Sequence, residues 1–160
     1  MTEWENYFVL TGTGAVTLIG LLFVVITLGA ERAERNGERL LRTYLTPSLF
    51  HFGVVFLIAL LALSPGGDNL ILPFGLIGIA GVVYSLSIML KLARNHETWD
   101  AWLFHGVIPI VCYAGIITAA WLGLTSTKQS YLVLRAVSAL FLLGGMRNAW
   151  AAAVGIARKN

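Results

Sequence analysis

Charge is what this sequence has least of. Lys, Arg, Asp and Glu make up 12% of its 160 residues against 58% hydrophobic, where a soluble domain carries about 25% charged and roughly 45–50% apolar residues. With a mean hydropathy of +0.79 and apolar runs longer than a buried core helix needs, the composition excludes an ordinary soluble domain and predicts an integral membrane protein. The single cysteine, Cys112, excludes an intramolecular disulfide and any CxxC redox or zinc motif. There is no low-complexity tract, no convincing repeat, and no complete catalytic, nucleotide or metal motif, so no enzyme chemistry and no metal site are expected. The net charge of +3 does not point to nucleic acid, because the basic residues fall mostly in loops between apolar runs and form no stripe on an accessible face. Met1 to Asn6 contains Glu3 and Glu5 but no basic residue. The apolar run behind it exceeds the roughly 7–15 residues of a signal-peptide core, so it is expected to be a retained first span.

What is present is a series of long apolar segments. A bilayer core about 30 Å thick needs roughly 20 helical residues at 1.5 Å each, and five candidate spans meet that need: residues 7–30, 47–63, 70–92, 101–123 and 131–157 of a single membrane domain covering 1–160. Thr46 and Pro47 open the second as N-cap and first-turn proline, and Pro73 falls in the first turn of the third, where a missing N–H is tolerated. The fifth contains Arg147. A central arginine costs about 2.5–3.5 kcal/mol on insertion scales, and the ten Leu, Ile, Val and Phe residues between Leu132 and Ile156 return roughly 3–6 kcal/mol, so a fifth span is expected in preference to a surface-lying helix.

Orientation follows from the basic residues, because positive loops stay cytoplasmic. Arg32, Arg35, Arg39, Arg42, Lys91, Arg94, Arg158 and Lys159 fall on one side; only Lys128 and Arg135 fall on the other. The expected fold is therefore an all-α transmembrane bundle with the N-terminus outside and the C-terminus cytoplasmic. Trp4, Tyr7, Trp121 and Tyr131 mark the outer interface, and Tyr44, Trp99 and Trp102 the inner one. The longest loop, Glu31 to Tyr44, reads as a solvated connector in which Glu31 with Arg35 and Glu38 with Arg42 have the favourable i,i+4 order.

In lipid, helices associate through small residues and polar contacts. Gly12, Gly14, Ala15 and Gly20 in the first span, Gly75, Gly78 and Gly81 in the third, and Gly144, Asn148, Ala151 or Ala152, and Gly155 in the fifth are the expected contact stripes, within the chain or between copies of it.

Three features carry the functional expectations. Arg147 lies eleven residues from Arg158, about 16 Å at helical rise, with no acidic residue at its depth; its partners are then Tyr84, Ser85, Ser87, Tyr113 or Thr118, backbone carbonyls, or a bound anion or lipid headgroup. Arg147, Asn148, Tyr84 and Tyr113 are accordingly the candidate ligand-binding residues, against a purely structural arginine. His51 and His105 each sit four residues inside spans that start on the same side, which is the pattern that holds a b-type haem between two imidazoles; the alternative is a pair of interfacial hydrogen-bonding histidines. Pro109 cannot donate to the carbonyl of His105, which predicts a kink in the fourth span.

The opening from Trp4 to Leu28, WENYFVLTGTGAVTLIGLLFVVITL, resembles the first span of a set of short bacterial multi-span membrane proteins, with a looser likeness through the second span and Ser64-Pro65-Gly66. The resemblance implies a bacterial inner-membrane location and transfers no activity. Sequence thus points to a small structural or regulatory subunit of a membrane oligomer, with anion or lipid-headgroup binding at Arg147 and haem binding at His51 and His105 as alternatives, and with the bilayer and other copies or membrane proteins as partners.

Overall fold

In the computed structural model the described residues are 3–32, 46–64, 71–94 and 99–157, and all regular structure among them is helical. The chain forms α1 (Glu3–Arg32), α2 (Thr46–Ala62), α3 (Ile71–Arg94), a short α4 (Trp99–Trp102) that runs through a π-turn at Leu103–Val107 into α5 (Ile108–Leu122), and α6 (Thr127–Ala157). Four stretches are long and apolar enough to cross a membrane: Trp4–Thr27, Ile71–Leu90, Leu103–Leu122 and Thr127–Ala151. The fifth expected span, α2, is shorter at 17 residues, about 25 Å at helical rise. The Glu31–Arg35 and Glu38–Arg42 pairs, Tyr44, and the connections at 65–70 and 95–98 lie outside the described residues.

Local chemistry sets the helix ends. Ser126 accepts the Gln129 N–H at 3.4 Å to open α6, and the turn behind it is closed by Gly123 N–H to Ala119 O at 3.0 Å and Ser126 N–H to Leu122 O at 2.7 Å. These bonds satisfy carbonyls that a helix end leaves without partners. Before α5 the expected kink takes a definite form. The Ile108 N–H goes to Leu103 O instead of Phe104 O, and Pro109 has no N–H to give. One extra residue is absorbed in a widened turn, and the helix continues.

α6 is the hub. It packs against α1, α2 and α5, α1 packs against α2, and α3 packs chiefly on α5 and the π-turn. Successive helices run antiparallel: Gly12 faces Ala59, Phe52 fills the space a side chain on Gly145 would need, Gly115 faces Val137, and Gly106 faces Met89. At one end of the bundle the Trp4 and Tyr131 rings stack at 6.1 Å, the Ser130 hydroxyl donates to Ala119 O at 2.7 Å, and the Arg135 guanidinium lies 4.8 Å from both the Trp4 and Tyr7 rings. The Tyr7 hydroxyl adds a 2.7 Å bond to the Arg135 carbonyl. Arg135 is therefore held between two aromatic faces, each an attraction of about 0.5–2 kcal/mol.

The outside of the bundle is apolar. Leu10, Leu72, Val83, Leu90, Val111 and Leu143 are all exposed, while Ser48, His51, Ser85, His105, Ser138 and Asn148 are buried. This inverts the order of a water-soluble protein, whose exposed apolar patches rarely exceed a few hundred Å². Exposed Trp121 and Trp150 stand at opposite ends. Trp102 to Trp121 and Tyr131 to Trp150 are each nineteen residues, about 28 Å at helical rise, which matches a bilayer core.

The contact stripes are met in part. Gly12, Ala15, Gly78 and Gly81 do lie at helix contacts, but Gly14, Gly20, Gly75 and Gly144 have open space where a side chain would stand, and Gly145 meets Phe52 where Gly144 was expected to make the contact. A helix turns 100° per residue, so adjacent glycines cannot share a face. The tightest approach is at Gly81, where any Cβ would overlap the Tyr113 ring. Gly81→Val should lower the thermal midpoint in detergent sharply, overpacking costing about 1–3 kcal/mol, while Gly75→Val leaves it unchanged; equal midpoints for the two variants would remove this contact as the anchor of α3.

Candidate functional site

The residues of interest converge where α2, α3, α5 and α6 approach one another. Thr46-Pro47 starts α2 so that Ser48, His51, Phe52 and Val55 form its inward face, and all four are buried. His51 lies flat on Phe141 of α6, ring centroids 4.9 Å apart at 23°, and 6.2 Å from the Tyr113 ring. Tyr113 is fully buried, 4.9 Å from Phe141 and 6.5 Å from Phe50. Phe50 in turn stands 4.5 Å from Tyr84 of α3. Aromatic pairs at such separations are worth about 0.5–1.5 kcal/mol beyond their burial.

These apolar walls enclose polar atoms that lack partners. His51 Nε2, Tyr113 OH, Ser85 Oγ, Ser138 Oγ and both amide atoms of Asn148 are buried and make no hydrogen bond. Asn148 is 1% exposed. The contrast within the same helices is informative: Thr11, Thr17, Thr27 and Thr118 each bond a carbonyl one turn back at 2.9 Å. A buried polar group without a partner costs about 1–3 kcal/mol, and native proteins leave few of them. Two of them, His51 Nε2 and Tyr113 OH, belong to one cluster of rings, the His51 and Tyr113 centroids standing 6.2 Å apart.

Both expected histidines, His51 and His105, are buried and stand within electrostatic reach of each other. His105 sits inside the π-turn, a feature that recurs at functional positions. Of the four expected ligand-binding residues, Tyr113 and Asn148 point into the core, and Tyr84 is half-buried at its edge.

Arg147 does not join them. Its side chain is exposed, with the guanidinium 3.5 Å from the centre of the Phe104 ring. Nor is it in mid-bundle: Phe104 follows closely on the start of α4, and Gly145 lies against Phe52 near the start of α2. The expected 16 Å depth was counted from the far end of its own helix, but α6 outruns its neighbours. Measured against them, Arg147 is one turn from Trp150, near the rim.

Sequence reasoning singled out the two histidines, Tyr113 and Asn148, but missed Phe50, Phe141 and Ser138. A phenylalanine in an apolar run carries no signal of its own, and its role comes from what stands opposite. Among the described residues no group of three or more His, Cys, Asp or Glu is placed to hold a metal ion. Comparison with protein-family models, curated proteins and solved structures finds no match to this chain.

Replacing Asn148 by Leu should raise the thermal midpoint of ligand-free protein in detergent, because it deletes two unpartnered amide atoms and keeps the number and branching of side-chain heavy atoms. A lower midpoint would mean that the amide already has partners and would dissolve the site.

Proposed function

We propose that this chain is a five-span integral membrane protein whose bundle works as a binding module within the bilayer, holding a small neutral ligand between His51 and Tyr113. The observation that carries the reading is that two buried polar atoms without partners, His51 Nε2 and Tyr113 OH, belong to rings 6.2 Å apart in an otherwise apolar cluster. In hydrocarbon no water relieves such groups, so a ligand that supplies hydrogen bonds gains what the empty bundle forgoes. Asp, Glu, Lys and Arg are absent from the residues named, which favours a neutral ligand.

The remaining expectations fit this reading. The basic residues cluster on the side of the connections before α2 and after α3, which supports an outside N-terminus and a cytoplasmic C-terminus. Arg147, exposed beside Phe104, then extends to the inner headgroups, where a lipid phosphate or other anion is its natural partner. The resemblance of Trp4 to Leu28 supports a bacterial inner membrane. No catalytic role is assigned. With loops too short for a soluble domain, the module serves as a structural or regulatory subunit of a membrane assembly.

A second reading is favoured by one observation, that His51 and His105 are both buried and act on each other electrostatically. Two imidazoles on facing segments suit axial ligation of a b-type haem, which would supply one-electron chemistry. His51 Nε2 is the ring atom that ligation would use.

Two measurements test these readings. Solvent extraction of the purified protein, with ultraviolet–visible spectra as isolated and after dithionite, should reveal a stoichiometric small molecule; none, in wild type and after reconstitution in native lipid, would end the binding proposal, and a Soret band would give the haem reading priority. In a Cys112→Ser background, an impermeant thiol reagent should label Lys128→Cys in intact cells and Arg39→Cys only after permeabilisation. The reverse pattern would invert the topology.

A further inference from the structure

We infer that the pair of rings Phe50 and Tyr84, where α2 meets α3, is the entrance of this site, and that its ligand is the ring of a lipid-soluble quinone. The inference rests on the binding function proposed above and names the ligand class. α3 is packed chiefly on α5, and it meets α2 through side chains, Phe50 against Tyr84 at 4.5 Å. Phe50 is 40% exposed and Tyr84 is half-buried, whereas His51 and Tyr113 behind them are 3% and 0% exposed. A gate of two rings thus separates the apolar exterior from two unpartnered polar atoms.

Four properties of the ligand follow. It arrives from the bilayer, so it is lipid-soluble; exposed Leu57, Val83 and Leu86 on α2 and α3 offer an apolar surface for its tail. Its head is flat, because the walls are the rings of Phe50, Tyr113 and Phe141. The head is neutral, since His51, Tyr113 and the rings of Phe50 and Phe141 around them include no Asp, Glu, Lys or Arg. It exchanges hydrogen bonds with a phenol and an imidazole: a quinone carbonyl accepts from Tyr113 OH, and the hydroxyl of the reduced quinol donates to His51 Nε2 when that nitrogen carries no proton. The seat therefore serves both redox forms as a binding site. Phe50 is the ring that must swing out to admit the head, and as the exposed member of the cluster it has the room to do so.

The test uses the full chain in lipid nanodiscs with a one-isoprene ubiquinone as probe, titrated calorimetrically. Wild type should bind saturably at one per chain. Tyr113→Phe should weaken binding about tenfold, equivalent to about 1.4 kcal/mol, with a thermal midpoint equal to or above wild type showing that the fold is intact. His51→Leu should weaken it comparably, while Leu143→Ala on the outer face of α6 leaves it unchanged. Partitioning that is unsaturable and equal in wild type and Tyr113→Phe overturns the quinone assignment. If hemin instead binds stoichiometrically, or another molecule is extracted from the purified protein, the quinone assignment fails and the binding function stands. If neither probe binds and extraction yields nothing, both fail.

Discussion

The ring of Tyr113 is the point on which the arrangement of helices turns. It occupies the space that glycine leaves at position 81, which lets α3 lie close on α5, and it leans on Phe141 of α6 and toward Phe50 and His51 of α2. Four of the helices meet through one side chain. In a bilayer the surrounding tails are as apolar as leucine, so a hydrophobic driving force between helices is lacking and close packing has to supply the specificity. A bulky ring seated over a glycine provides such packing. It also brings a hydroxyl into the interior, and that hydroxyl is unpartnered.

That tension between packing and polarity runs through the bundle. Hydroxyls that face outward or lie along a single helix are satisfied locally, as Thr17, Thr27 and Thr118 are by the carbonyl one turn back. His51 and Tyr113, which stand where several helices meet, keep a polar atom without a partner. Stability alone would favour phenylalanine at 113 and leucine at 148, so the observed residues sit where local rules fail, and such failures are expected at functional sites. The π-turn falls at the same place. Pro109 accounts for it locally, and its effect is to carry Phe104 under Arg147 and to set His105 within reach of His51.

Much of the fold was legible in the chain. Apolar runs located the helices to within a few residues, because a membrane-length segment announces itself by what it omits. Pro109 announced a local irregularity for a covalent reason, and the placing of His51 and His105 one turn inside their spans marked two histidines that are both buried. What could not be read was neighbourhood. Gly144 and Gly145 look alike in sequence, yet only Gly145 receives Phe52. Arg147 was placed by counting from the end of its own helix, but depth is set by where the neighbours stop, and no residue in α6 records that. Phe50 and Phe141 became site residues only through the rings opposite them.

The order of assembly follows from the hub position of α6. The α1–α2 and α3–α5 pairs each form from neighbours in sequence, so both hairpins are available as soon as they enter the bilayer. The helix that joins them comes last of the six. Until it arrives, Ser48 and His51 on one hairpin and Ser85 and Tyr113 on the other have no common interior to enter, and they lie against lipid. A bundle without α6 would therefore leave these polar groups on its outside, so the last helix is what turns them into an interior.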